Sequence, residues 1–157
     1  MKIPILECGD IIVMDAPDVS QPLTFTTATN SVSLENYNRV LACLIITDAG
    51  TGSAITMLQG TTTTASTALA FTQYWYKAAY GTNTWVSGTA TSNTFTTGTA
   101  TATGLYVVEI KASMLTDTYK YVRMNAASAT NATGALFYVM DEARYPGLPT
   151  SVIDASA

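Results

Sequence analysis

The stretch Leu105–Ala112, with the sequence LYVVEIKA, shows the alternation of a β-strand with one buried face. Its even-numbered residues from Tyr106 to Ile110 are apolar, whereas Glu109 and Lys111 fall on the opposite side. Successive side chains of a strand point to opposite faces, so we expect the even-numbered face to be buried. The rest of the chain therefore has to supply a second layer that covers this face.

Short runs of the same kind recur along the chain and are bounded by residues that favour turns. The other predicted strands are Arg39–Thr47, Ser53–Gln59, Ala70–Lys77, Tyr119–Asn125 and Ala135–Met140. Thr84–Val86 and Asn93–Thr97 are predicted to be either short strands or the arms of a long loop rich in Thr and Gly. Many short strands without a long helix are typical of an antiparallel sandwich. We therefore predict an all-β fold, an antiparallel β-sandwich of the jelly-roll or immunoglobulin-like kind.

The run Arg39–Thr47, RVLACLIIT, is nearly all apolar and is predicted to be a strand covered on both faces. The turn residues Asp48–Gly52 end it, and Ser53–Gln59 follows at the distance expected for a hairpin. The sequence therefore predicts that these two strands pair with each other.

Hydroxyl groups outnumber charges in this chain. Only 11% of the 157 residues are charged, against roughly 25% in an average soluble domain. The chain contains 28 Thr and 22 Ala. Because β-branched Thr favours strands and its hydroxyl solvates an outward face, we expect a sheet surface that stays soluble with few ions. The composition excludes a coiled coil.

The positive charges are few and lie apart from one another. Seven Lys and Arg stand against eleven Asp and Glu, which leaves a net charge of −4. Phosphate backbones and anionic lipids require clustered cations. The longest apolar run, Val40–Ile46, is also far shorter than the roughly 18 residues of a membrane helix. We therefore expect neither nucleic acid nor a membrane as a partner.

Catalytic chemistry has few candidate residues here. The chain has no His, which removes the commonest general base and every Ser-His-Asp arrangement. Asp15 with Asp18 and Asp141 with Glu142 are the possible carboxylate pairs, and a glycosidase places two carboxyl groups about 5–9.5 Å apart. For Asp141 and Glu142 a second interpretation exists. The favoured interpretation is a surface ion pair with Arg144. We therefore expect no catalytic residues and a protein that is not an enzyme.

Cofactor and metal sites are equally poorly supported. The loop Asp48–Gly52 lacks the Lys and the following helix of a phosphate-binding loop. No spacing collects the roughly 6–8 oxygen ligands of a calcium site. Cys8 and Cys43 stand in no metal-ligand spacing. We expect no cofactor, no metal and two free thiols in a protein synthesised in the cytoplasm.

A cluster of aromatic residues leaves two interpretations open. Its members are Tyr74, Trp75, Tyr76, Tyr80 and Trp85. These rings could form a platform for sugar, because pyranose rings stack on flat indole and phenol faces. In the favoured alternative, Trp75 fills the sandwich core, while Tyr74 and Tyr76, on the other face of their strand, lie at a subunit contact or under the Thr-rich loop.

The two ends are predicted to extend from the sandwich. We divide the chain into an N-terminal arm at 1–22, a β-sandwich domain at 23–145 and a C-terminal tail at 146–157. Both ends combine Pro with apolar residues, which are unfavourable in water and are expected to lie on a neighbouring subunit. The predicted interface residues are Ile3, Pro4, Ile5, Ile11, Ile12, Val13, Tyr74, Tyr76, Trp85, Tyr145, Pro146 and Leu148.

The order of segments after Gly104 resembles a family of small viral proteins. The segments are GLYVVEIKA, SMLTDT, YKYVRMN, ASATNATG and ALFYVMDEARYPG, and the earlier run VLACLIITDAGTGSAITMLQG looks like an accompanying hairpin. Together they resemble the head decoration, or cement, proteins of tailed bacteriophages. The similarity covers under half of the chain and includes no catalytic signature.

The resemblance implies a non-enzymatic virion structural protein on the capsid surface. Such a protein binds the lattice of the major capsid protein, clamps neighbouring capsomers and stiffens the shell. A homo-oligomer, either a dimer or a trimer, is expected. The alternative is a phage tail, head-fibre or adsorption component that binds host glycans through the aromatic patch. A carbohydrate-active enzyme using Asp141 and Glu142 is a third hypothesis.

Overall fold

Two antiparallel β-sheets form the described part of the chain. In this computed structural model the described residues are 10–13, 31–48, 52–78, 83–98, 104–126 and 133–144. The strands are β1 (Asp10–Val13), β2 (Val32–Ser33), β3 (Tyr37–Asp48), β4 (Ala54–Gly60), β5 (Thr67–Ala68), β6 (Gln73–Lys77), β7 (Val86–Thr89), β8 (Thr94–Thr96), β9 (Gly104–Lys111), β10 (Tyr121–Ala126) and β11 (Thr133–Ala143). A single turn of 3₁₀ helix, Ala112–Met114, follows β9.

The larger sheet has six strands in the order β1-β11-β3-β9-β6-β7. The smaller sheet has five strands, with the order β2-β10-β4-β5, and β8 also pairs with β4. All of these pairings are antiparallel. The predicted all-β, antiparallel sandwich is confirmed.

The core lies between the sheets and is formed by the inward-facing residues of their strands. On β9 the even-numbered residues are buried and the odd-numbered ones are half-buried up to Glu109, as predicted. On β3 the residues Val40, Ala42 and Leu44 are all fully buried. Complete burial of a large apolar side chain contributes roughly 1.5–3 kcal/mol, so these inner faces are the main source of stability.

The predicted hairpin between the strands at 39–47 and 53–59 is wrong. β3 lies in the six-stranded sheet, whereas β4 pairs with β10 in the other sheet. Both edges of β3 are already occupied, because β11 and β9 hydrogen-bond to it over most of its length. The apolar face of β4, with Ile55 and Met57 fully buried, instead covers the core from the opposite layer.

Part of the predicted N-terminal arm is a sheet strand. Residues 10–13 pair antiparallel with β11, with Ile11 opposite Val139 and Val13 opposite Phe137. This segment therefore extends the larger sheet by one edge strand. The predicted interface residues Ile3, Pro4, Ile5, Tyr145, Pro146 and Leu148 lie outside the described residues, as do the rest of the arm and the predicted tail.

Candidate functional site

The candidate site is the face of the larger sheet that points away from the core, called here the outer face. It consists of the odd-numbered residues of β3 from Arg39 onward and of β6, β9 and β11, since the even-numbered apolar residues of these strands face the core. Its chemistry changes along the strands. Ionised residues lie at one end, apolar residues in the middle and threonine hydroxyls at the other end, where Thr47 and Thr133 hydrogen-bond at 2.8 Å.

An apolar row crosses the middle of the outer face. Phe137, Cys43, Val107 and Trp75 are successive cross-strand partners on β11, β3, β9 and β6. Directly opposed side chains in antiparallel strands lie about 4.5–5.5 Å apart at Cβ. The row is therefore continuous, and the half-buried Leu41 and Ile45 of β3 flank it on either side.

Cys43 is the small member of this row. Its side chain is 6% exposed, because it lies between the larger side chains of Phe137 and Val107. Burial raises the pKa of the Cys43 thiol to about 12, so the group is protonated and unreactive at neutral pH. Cys43 carries a free thiol, whereas Cys8 lies outside the described residues.

Arg39 organises the charged end of the outer face. Its guanidinium hydrogen-bonds to Asp141 on the neighbouring strand, and it lies 3.6 Å from Glu142 Oε1 and 3.9 Å from Glu109 Oε1. The hydrogen bond from Arg39 lowers the pKa of Asp141. Lys111 Nζ completes the network at 3.8 Å from Glu109.

The ion-pair partner of Asp141 and Glu142 differs from the predicted one. The predicted partner was Arg144, but Asp141 lies directly opposite Arg39 in the sheet register. The backbone N–H of Arg144 donates to the carbonyl of Asn36 at 2.8 Å. A glycosidase acid requires a carboxyl group with a raised pKa. The Asp141 pKa is shifted in the opposite direction, so Asp141 is not suited to be that acid.

The aromatic residues of β6 face the opposite way from the favoured interpretation, which placed Trp75 in the core. Tyr74 and Tyr76 face inward, with Tyr74 stacked on Phe95 at 4.1 Å between ring centroids and Tyr76 stacked on Tyr106 at 5.6 Å. Trp75 faces outward and is 43% exposed. The register explains this, because Tyr76 lies opposite the inward-facing Tyr106 of β9.

Gly88 makes the inward orientation of Tyr74 possible. The two residues are cross-strand partners on β7 and β6. A Cβ atom at Gly88 would lie 2.1 Å from Cζ of Tyr74, which is far inside van der Waals contact. The tyrosine ring therefore occupies the space that any larger side chain at position 88 would require.

Trp85 shares the outer face with Trp75. The register places Ser87 opposite Trp75, and Trp85 lies two residues before Ser87. Lys77 Nζ, also on the outer side of β6, lies 4.9 Å from the centroid of the Trp85 ring. The indole of Trp85 is 44% exposed. Two exposed indoles thus lie at one edge of the sheet.

A cavity of about 220 Å³ opens beside Trp75. It lies between β6, the end of β9 and the 3₁₀ turn, and its lining residues are Phe71, Thr72, Gln73, Trp75, Glu109, Lys111 and Met114. The lining therefore combines aromatic and apolar side chains with an amide, a hydroxyl, a carboxylate and an ammonium group. None of these polar residues was predicted to be a site residue. Alternation along the strand does place Gln73 on the same face as Trp75.

The described residues that were predicted to form an interface lie in three different places in the structure. Ile11, Ile12 and Val13 form β1 at the edge of the larger sheet, Trp85 lies on the outer face, and Tyr74 and Tyr76 pack against the core. In the described ranges, no three or more His, Cys, Asp or Glu side chains lie together as a metal site would require. The described helical structure includes no segment long and apolar enough to cross a membrane.

No protein-family model, curated protein or solved structure matches this chain. The similarity to phage decoration proteins thus remains an expectation from the sequence.

Proposed function

We propose that this protein is a non-enzymatic structural protein of a tailed-bacteriophage virion. In this proposal it binds the lattice of the major capsid protein on the head surface and stabilises the shell. The observation that carries the proposal is the apolar row across the outer face. Its middle members, Phe137, Cys43 and Val107, present no ionised group.

The outer face has the layout of a protein-binding surface. The centres of interfaces are depleted in charge and are surrounded by a polar rim. Here the apolar row lies at the centre and the Arg39 network lies at one end. The network contains charges of both signs, so it favours specific pairing with a partner over general attraction to anions or cations.

The outer face offers a modest contact area. Its four strands, at a spacing of about 4.8 Å, give a width of roughly 14 Å, and eight-residue β9 spans about 27 Å. The face thus covers on the order of 400 Å², about half of the roughly 800 Å² that each partner contributes to a standard interface. On a repeating shell, many such modest contacts act together and hold tightly.

The test uses capsids assembled from the major capsid protein of the phage that encodes this chain. Cosedimentation measures binding, and the temperature at which the shell opens measures stabilisation. We expect the wild-type protein to bind saturably and to raise that temperature. The variant Val107→Lys puts a charge in the apolar row and should weaken binding at least tenfold.

The control is Thr63→Lys, which adds the same charge at an exposed position in the loop between β4 and β5. It should bind capsids like the wild type. Circular dichroism and thermal unfolding establish that both variants are folded. Failure of the wild-type protein to bind these capsids would contradict the proposal. Equal binding by Val107→Lys would show that the outer face is not the contact.

A further inference from the structure

We infer that the edge of the outer face formed by β6 and β7 binds a carbohydrate, with one sugar ring on the indole of Trp75. This site adjoins the apolar centre of the outer face and shares Trp75 with the apolar row, but the inference does not depend on the capsid role. It divides the aromatic residues of this region into two groups. The tyrosines of β6 belong to the core, and the two tryptophans belong to the binding surface.

The first observation is that both indoles are exposed on the same face. Trp75 is 43% exposed and Trp85 is 44% exposed. The direct cross-strand partner of Trp75 is Ser87, and Trp85 lies two residues before Ser87. Residues in this diagonal relation have Cβ atoms up to about 7–8 Å apart. Neighbouring sugar units of one oligosaccharide can therefore contact the two rings together.

The second observation is the polar cavity beside Trp75. Sugar hydroxyl groups both donate and accept hydrogen bonds, so a sugar site needs groups of both kinds next to an apolar surface. The Gln73 amide supplies both, the Lys111 ammonium donates and the Glu109 carboxylate accepts. Lys111 Nζ and Glu109 Oε1 lie 3.8 Å apart, close enough for one ligand to contact both.

The size of the cavity limits the ligand. Its volume of about 220 Å³ lies below the roughly 300–1,000 Å³ of pockets for drug-sized molecules. One sugar ring fits this space, and further units of a chain would extend over the open face toward Trp85. We therefore expect weak binding of monosaccharides and tighter binding of oligosaccharides.

Two features of the same edge favour a carbohydrate over other ligands. A purely apolar ligand would displace water from the polar groups of Gln73, Glu109 and Lys111 and offer them no hydrogen bond in return, which is costly. A nucleic acid would require clustered cations, whereas Glu109 lies within the site and the whole chain carries a net charge of −4. A neutral or weakly charged sugar satisfies both the indole faces and the mixed polar groups.

The test exploits the tryptophan content of the chain. It contains two Trp residues in all, and both lie at this site. Trp fluorescence therefore reports on the site directly, and in Trp85→Phe it reports on Trp75 alone. The probes are oligosaccharides of glucose, galactose, mannose and N-acetylglucosamine, titrated into the purified full-length chain. We expect a saturable change in fluorescence with at least one of them.

Variants then locate the binding. Trp75→Ala should weaken binding at least tenfold in calorimetric titration, and Gln73→Ala, at an exposed position, should weaken it severalfold. Trp75→Phe keeps an aromatic ring and should retain part of the affinity. Val86→Ala is the matched control, because Val86 is exposed on β7 and lies opposite the inward-facing Tyr76. It should bind like the wild type.

The possible outcomes are distinct. Absence of saturable binding to every oligosaccharide at millimolar concentration would overturn the inference. Binding that is unchanged in Gln73→Ala, Trp75→Phe and Trp75→Ala would also overturn it, even if a sugar binds elsewhere. Because Val107→Lys is tested on capsids and these variants are tested on sugars, either proposal can fail while the other stands.

Discussion

At the scale of single residues, Arg39 shows how one side chain organises a surface. It contacts three carboxylates on two neighbouring strands, and its side chain is 30% exposed. An exposed ion pair contributes only about 0.2–1 kcal/mol. The Asp141 contact lies at the upper part of this range, since both partners are partly shielded and joined by a charge-assisted hydrogen bond.

This contact predicts a pH dependence of stability. The hydrogen bond from Arg39 lowers the pKa of Asp141 in the folded state. A depressed folded-state pKa stabilises the fold above the unfolded value of about 3.9, and the contribution is lost as the pH falls from about 5 toward 2. Asp141→Asn should lower the melting temperature at pH 7 and flatten its decline in acid.

Thermal unfolding at a series of pH values measures this effect. Asp117→Asn, at an exposed turn position, is the control and should keep the wild-type profile. If Asp141→Asn follows the wild-type curve from pH 7 to pH 2, the ion pair does not contribute to stability.

At the scale of elements, β6 determines which aromatic rings face the core and which face the surrounding solution. Its pairing with β9 aligns Tyr76 with Tyr106 and so turns Trp75 outward. A shift of one residue in this register would exchange the two faces. On the other edge of β6, Gly88 provides the space that the ring of Tyr74 occupies. The pairing with β9 and the space at Gly88 on β7 thus together determine which face of β6 meets the core.

Gly88→Ala tests this arrangement. The new Cβ would overlap the ring of Tyr74, which would have to leave its stacked position on Phe95. Overpacking of this kind typically costs about 1–3 kcal/mol, and urea unfolding should show a loss of that size. Ser87→Ala, on the same strand with an exposed side chain, should change the unfolding free energy very little.

A second measurement isolates the clash. In a Tyr74→Leu background the ring is absent, so Gly88→Ala should cost less than it does in the wild type. An equal cost in both backgrounds would mean that the loss at Gly88 has a cause other than the ring.

At the scale of the whole molecule, the two sheets are joined by a polar contact inside an apolar core. Tyr138 on β11 is fully buried, and its hydroxyl accepts a hydrogen bond of 2.8 Å from the backbone N–H of Met124 on β10. Burial raises the pKa of this hydroxyl, which therefore stays protonated. The contact ties the position of one sheet to that of the other.

Tyr138→Phe removes the hydroxyl and leaves the Met124 N–H without this partner. An unsatisfied buried donor costs about 1–3 kcal/mol, and we expect a loss of that size in urea unfolding. Tyr121→Phe, at a half-exposed position on β10, is the matched control and should have little effect. Unfolding of Tyr138→Phe at the wild-type urea concentration would contradict this role of the hydroxyl.

The sequence by itself determined the fold class and much of the local pattern. Alternation along Leu105–Ala112 correctly identified the buried face of β9, because side-chain period is a local property of a strand. The same rule separated Tyr74 and Tyr76 from Trp75. The high Thr content correctly predicted β-sheet in the described ranges.

Only the tertiary structure decided which neighbours each strand meets. Alternation separates the two faces of β6 but does not say which one meets the core, and that choice depends on pairing with β9, about 30 residues away in the chain. The assignment of β4 to the second sheet and the pairing of Arg39 with Asp141 are likewise long-range. The candidate sugar site depends on the same pairing, because side chains from β6, β9 and the 3₁₀ turn form it together.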